Sequence, residues 1–287
     1  MTAYQGQLAT LTLPEFGLPT VEPAIPATVY RARMAAFRQR MHAEGYDVAI
    51  VYGDREHFAN MTYLTGYDPR FEEALLVVDL SGSSKPLLLV GNEGYGYVPI
   101  SPVADDFEPV LFQSFSLLGQ DRSRSRTLVA ILRDGGVKPG AQVGIAGWKY
   151  FSSQESGTPN TWLETPAYLA DTLRTLTGDP AAVRNATAIL MSNNGLRAIN
   201  ELEQLARFEY AATFGSQAVR NVLFNIQPGM TEYEAVELMK LNGLPHWNGA
   251  PGRCHPGDWQ RLLYQQHRGR HCTGRCRATR RLRAALP

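Results

Sequence analysis

Asp54 to Leu80 reads DREHFANMTYLTGYDPRFEEALLVVDL, and three structural signals follow one another in it without a gap. Phe58 and Met61 stand three residues apart, the spacing that places two side chains on one face of a helix, and Asp54 precedes them as a candidate helix cap. Gly66 supplies a turn. Ala74-Leu75-Leu76-Val77-Val78 is then an unbroken apolar run of strand length, the mark of a buried strand.

Toward the N-terminus, Tyr30, Met34, Phe37 and Met41 recur at helical spacing with basic residues between them, and Gly45 closes the pattern. The helix leads directly into Val48-Ala49-Ile50-Val51-Tyr52, a short buried strand. Residues 1–27, rich in proline and without periodicity, read as an arm.

Toward the C-terminus, Ser81-Gly82-Ser83-Ser84 joins the strand through Leu80 to a second apolar run, Leu87 to Val90, as a hairpin. Gly91, Gly94 and Gly96 echo a phosphate loop faintly, but the glycine spacing is reversed and Pro99 and Pro102 preclude a regular helix immediately after, so the segment reads as a plain loop. Asp105, Asp106 and Glu108 read as a solvated acidic loop. Val110 to Phe112 and Gln142 to Ala146 are further strands, with a helix from Thr127 to Leu132 between them, closed by Gly135-Gly136. Pro166 to Leu176 is helical and stops before Asp179-Pro180; Ala188 to Met191 reads as a last strand and Ser192 to Gly195 as a linker. A long helix from Ala198 to Ile226 breaks at Gln227-Pro228-Gly229. Thr231, with Glu234 three residues on, forms a capping box for one more helix, Glu232 to Leu241. Hairpin strands interleaved with helices predict an α/β domain with a mixed sheet.

Tyr63-Leu64-Thr65-Gly66-Tyr67, followed by Phe71 and the strand from Ala74 to Val78, resembles the N-terminal domain of the creatinase and aminopeptidase P group of pita-bread metallopeptidases. The linker, the long helix and Pro228-Gly229-Met230-Thr231-Glu232-Tyr233-Glu234 resemble the entrance to the catalytic domain of the same group, so the resemblance spans about residues 28–244. It implies a creatinase-type domain over 28–191, with a mixed sheet flanked by helices. A linker over 192–197 follows, then the α-helical start of a pita-bread domain over 198–244. Intact members of the family hydrolyse peptide bonds beside proline with a metal-activated water. Their two Asp, one His and two Glu ligands suit a pair of Mn, Co or Zn ions and follow the helices seen here. The resemblance also implies that the N-terminal domain of one subunit leans over the active site of its neighbour. On that basis Arg70 and Phe71 are the substrate-contacting candidates, Arg70 because its planar fork matches a substrate carboxylate. His57 is a third candidate, weighed against an ordinary surface histidine.

Beyond Leu244 the composition changes. No Val, Ile, Phe, Met, Lys, Glu or Ser occurs from Pro245 to Pro287, whereas nine arginines stand against one acid, Asp258. The formal net charge of +1 therefore hides a body with 19 basic and 26 acidic residues joined to a strongly basic tail. Arg, Gly, Pro, Cys, His and Trp are abundant there, and these residues largely have GC-rich codons. We read 245–287 as a disordered tail in a shifted reading frame that replaces and truncates the catalytic domain. Cys254, His255, His267, His271, Cys272 and Cys276 invite a zinc reading, but their spacing matches no finger. Arg275, Arg277, Arg280, Arg281 and Arg283 lack the fold and stacking aromatics of a specific nucleic-acid site. With one acid after Leu244 the dimetal ligand set cannot be carried over, so no catalytic or metal residue is assigned. A metal pair and a peptide substrate are expected only in an intact relative.

The expected function is that of a catalytically silent member of the Xaa-Pro aminopeptidase or prolidase-like group. The alternative is a non-catalytic oligomerisation or binding module that associates through its N-terminal domain. No apolar run approaches the roughly 18 residues of a membrane span. The N-terminus lacks the basic start and apolar core of a signal peptide. No membrane partner is expected, and the location is expected to be the cytoplasm.

Overall fold

The computed structural model describes Thr12 and residues 17–69 and 72–240. Arg70, Phe71 and the expectations for 245–287 lie outside the described residues. Two compact units are present: one spans 25–201, and the second joins 202–240 to the described residues before 25.

The first unit is built on a six-stranded mixed sheet. Its strands are β1 (Val48–Asp54), β2 (Glu73–Asp79), β3 (Leu87–Val90), β4 (Glu108–Leu111), β5 (Val143–Ala146) and β6 (Val183–Asn185), in the order β4-β3-β2-β1-β5-β6. β1 and β3 both pair antiparallel with β2; the β1–β5, β3–β4 and β5–β6 pairs are parallel. Only β2 runs against the others, so the carboxyl ends of five strands and the amino end of β2 share one edge of the sheet.

Both faces of this sheet are covered, which is why its central strands read as continuous apolar runs instead of alternating ones. Ala49, Val51, Leu76, Val78, Leu88 and Val90 face α1 (Ala27–Ala43) and α2 (Ala59–Thr65). Val48, Ile50, Leu75, Val77, Leu87 and Leu89 face the opposite way, with Phe112, Phe115 and the buried residues of α4 (Leu128–Asp134) and α5 (Ala167–Thr177). Fully burying each such side chain contributes roughly 1.5–3 kcal/mol. α2 ends on Gly66 at φ +66°, the left-handed conformation that glycine adopts without a Cβ penalty.

Several expectations need correction. Asp54 does not cap α2: the residue ahead of that helix is Phe58, which makes no side-chain cap, and the Asp54 carboxylate accepts the nearer backbone N–H groups of Glu56 and His57. Gly91–Gly96 is not wholly a loop, because Asn92–Tyr95 closes one helical turn, α3. Asp106 is not simply solvated; its carboxylate holds Arg31 at 2.7 Å. Ala188–Met191 is a helical turn, α6, and not the last strand. A four-residue apolar run has no periodicity to separate the two, and here the sheet has already been closed by β6, three residues earlier.

α1 buries a residue whose charge would ordinarily keep it in solvent, at a position on the same face as Tyr30 and Phe37. The Arg33 side chain is 2% exposed and donates to both carboxylate oxygens of Glu201, at 2.9 and 2.6 Å, and to the Tyr63 carbonyl. Its guanidinium lies over the Tyr63 ring at 4.3 Å. Arg197 donates to Asn60 Oδ1 and Tyr63 Oη donates to the Leu196 carbonyl. The segment from Leu196 to Glu201 is thereby fastened to α1 and α2.

In the second unit, α7 (Leu202–Asn225) is followed, after a turn containing Gly229, by α8 (Glu232–Glu237). Thr231 and Glu234 form the expected capping box, with both reciprocal bonds present. Arg207 pairs with Glu22, and Asn221 Nδ2 donates to the Met239 carbonyl. Ala218 is the only buried residue of α7.

Candidate functional site

The carboxyl edge of β1 and β5 gathers several titratable side chains of the first unit. β1 ends in Asp54, whose Oδ1 accepts the backbone N–H groups of Glu56 and His57 at 2.8 and 2.7 Å. The same carboxylate lies 3.1 and 3.2 Å from His57 Nδ1. An ionised carboxylate only accepts, so the proton of this contact belongs on Nδ1, and in the neutral ring Nε2 is left as an acceptor. Burial alone would push the Asp54 carboxyl up. The hydrogen bonds from His57 and Glu56 outweigh it and hold the group below its ordinary range.

The imidazole of His57 stacks on the indole of Trp148 at 4.1 Å between centroids and 14° between planes. Trp148 is brought there from β5 by Gly147, which has no room for a side chain: a Cβ would meet the Glu164 carbonyl oxygen at 2.5 Å and Oε2 at 2.6 Å. Glu164 Oε2 accepts the backbone N–H groups of both Trp148 and Lys149, and Lys149 Nζ lies 4.0 Å over the indole. Burial pushes the Glu164 carboxyl up despite those two donors and the favourable charges of His57 and Lys149. Asn60 Nδ2 donates to the Gly147 carbonyl and Gly147 N donates to Thr187 Oγ1, so both sides of this peptide are fixed.

Across the β1–β2 ladder Asp54 faces Glu73, which accepts the Tyr52 hydroxyl at 2.6 Å. Burial pushes the Glu73 carboxyl up, only partly offset by that hydroxyl, and the Tyr52 phenol is pushed up in turn by burial and by Glu73. The edge therefore presents an imidazole on an aromatic shelf, flanked by one readily ionised carboxylate and two reluctant ones. Such a surface can accept and donate hydrogen bonds to a polar substrate group. No group of three or more His, Cys, Asp or Glu that could hold an ion occurs among the described residues.

Of the three residues singled out from sequence, His57 is placed at this edge, and Arg70 and Phe71 lie outside the described residues. Trp148, Lys149, Glu164, Tyr52 and Glu73 were not singled out. Trp148 is the one with a readable cue, since a tryptophan directly after a buried strand and a glycine stands at a sheet edge.

Residues 33–151, which include Asp54, His57, Glu73 and Trp148, match the creatinase/prolidase N-terminal domain family. The chain carries a creatinase/prolidase N-terminal domain. No curated protein matches it. Among solved structures, the prolidase from Pyrococcus horikoshii OT3 is similar at 14% identity and a TM-score of 0.48, over 74% of this chain and 49% of that one. The X-Pro aminopeptidase from Thermotoga maritima MSB8 is similar at 15% identity and a TM-score of 0.47, over 72% and 47%. The X-prolyl aminopeptidase from Caenorhabditis elegans, described as a cytosolic enzyme with a di-nuclear active site, matches at 15% identity and a TM-score of 0.37, over 54% and 23%. The chain spans about half the length of the prolidases it matches. No helix among the described residues is long and apolar enough to cross a membrane.

Proposed function

We propose that this chain is the substrate-positioning part of an Xaa-Pro peptidase and is catalytically silent by itself. The observation that carries the reading is the His57–Asp54–Trp148 arrangement at the carboxyl edge of a creatinase/prolidase N-terminal domain. His57 presents Nε2 to the substrate, while Arg70 and Phe71 contribute a carboxylate-binding fork and an apolar contact. The hydrolytic metal pair, of Mn, Co or Zn, belongs to an intact relative. Residues 245–287 contain one acid, Asp258.

The test has two arms on the purified 287-residue chain. Incubation with Mn2+, Co2+ or Zn2+ and an Xaa-Pro dipeptide is expected to release no proline above the blank; turnover with stoichiometric metal would overturn catalytic silence. Titration of the dipeptide against the imidazole and indole proton resonances of His57 and Trp148 is expected to give a saturable shift. Resonances that stay still through the titration would remove the positioning role.

A second reading, a non-catalytic association module, is favoured by one observation. Leu202, Leu223 and Phe224 of α7 are 78%, 66% and 64% exposed in their unit. Self-association measured by sedimentation, and abolished by Leu223→Glu, would support it.

A further inference from the structure

At the opposite end of the sheet from His57, α1 and α2 leave a cleft of about 250 Å³ beside the start of β3 and β4. Tyr30, Met34, Leu64, Val103 and Phe107 line it, and all but Met34 are buried residues of the core, so the floor is fixed by the packing of the domain itself. An apolar cavity of about 150 Å³ is enough for a benzene ring. This cleft accommodates one ring or a branched chain together with a short polar arm, and falls just below the roughly 300 Å³ at which sites for drug-sized ligands begin.

Two arginines stand among the lining residues, and they differ. Arg31 is neutralised by Asp106, with Nε at 2.7 Å and Nη2 at 3.4 Å from its carboxylate. Arg38 donates Nη1 to the Asp79 carbonyl at 2.8 Å, and no other hydrogen bond of its guanidinium is found among the described residues. The Asp79 carboxylate is committed elsewhere, accepting from Ser81 N, Ser81 Oγ and Ser83 Oγ. Arg38 is therefore a lining residue whose Nε and Nη2 make no hydrogen bond found among the described residues.

We propose that the cleft binds a small apolar monocarboxylate, its ring or branched chain against Tyr30, Met34, Leu64 and Phe107 and its carboxylate on the Arg38 fork. Planar bidentate pairing is the geometry in which guanidinium and carboxylate bind most strongly, and an apolar wall strengthens it by excluding water. Burial already pulls the Arg38 pKa down against the opposing charge of Asp79, a sign that its cation is under-compensated. A dicarboxylate or an amine lacks this complementarity.

The full chain, labelled with nitrogen-15, is titrated with phenylacetate, and in parallel with the neutral phenylethanol and with phenethylammonium. Phenylacetate is expected to shift the amides of α1 and of residues 103–107 saturably, with the alcohol and the amine at least tenfold weaker. Arg38→Gln is expected to weaken phenylacetate at least tenfold, and Arg38→Lys, which keeps the charge but loses the fork, to fall between the two. Ala35→Trp, on an exposed position of α1 that lines the cleft, is expected to block the site with Arg38 intact. It decides the question together with the alcohol if Arg38→Gln does not fold. No saturable shift in the parent chain, equal binding of the alcohol, or undiminished binding in a folded Arg38→Gln variant would overturn the proposal.

Discussion

Glu201 and Glu73 show how two partly buried carboxylates act on stability with opposite sign. Glu201 accepts two hydrogen bonds from Arg33, which outweigh its own burial and hold its carboxyl below the ordinary range. A depressed folded pKa contributes stability that is fully present above the unfolded value, about 4.3, and lost as pH falls through the folded one. Glu201→Gln should therefore flatten the acid limb of a plot of urea midpoint against pH. At neutral pH it should cost roughly 1–3 kcal/mol, less than for a fully buried pair because Glu201 is 32% exposed. Glu73 is the reverse case. Burial raises its folded pKa, so the stability linked to its proton is present below about 4.3 and lost as pH rises through the folded value. Glu73→Gln keeps a partner for the Tyr52 hydroxyl and should raise the urea midpoint at pH 7 relative to its effect at pH 4. A midpoint difference that does not change between those two pH values would contradict this account. Gly147→Ala tests the close approach to Glu164. Overpacking of this kind costs typically 1–3 kcal/mol, and a melting temperature unchanged by the substitution would show that the Glu164 loop gives way freely.

At the level of elements, the hairpin of β2 and β3, the helix α1, the Thr127-capped α4 and the Thr231–Glu234 box were legible because each carries its own local signal. The last strand was not. Val183-Arg184-Asn185 is three residues long, with one buried residue and two polar, partly buried ones, and is a strand only by pairing with β5. The apolar run that resembles a strand, Ala188–Met191, instead coils so that Leu190 enters the core. Leu190→Ala should cost about 2–5 kcal/mol, the range for a leucine truncated inside a packed core. The candidate site was legible only at His57. Its shelf and its second carboxylate arrive from β5 and from the loop before α5, and no spacing within the Asp54–Leu80 stretch encodes that meeting. Arg33 was hidden for a similar reason, since a basic residue on a helix gives no local sign of a carboxylate that arrives from far along the chain. α7 makes the opposite point. Its apolar residues Leu205 and Phe208 follow a helical period and remain about half exposed within the second unit. Limited proteolysis should cut within 202–240 before it cuts within 25–201, and equal rates in the two would count against an unpartnered face.

For the whole molecule, the first unit has its own two-sided core, and the residues that fasten its last segment, Arg33, Asn60 and Tyr63, all lie inside it. A polypeptide covering 25–201 should therefore unfold in a single cooperative transition by urea, with near- and far-ultraviolet circular dichroism superimposed. Non-coincident curves would mean that 202–240 completes the fold. The lone reversed strand has a practical consequence. The Ser81–Ser84 turn leaves the carboxyl end of β2, seven residues from Glu73, and at about 3.4 Å per residue it stands roughly 24 Å from the edge that holds His57 and Trp148. Ser84 is exposed, so an acceptor dye on Ser84→Cys, in a variant whose native cysteines and tryptophans other than Trp148 are replaced, forms with Trp148 as donor a ruler laid along the sheet. It would register events at the His57 rim of the domain through a label carried at the other.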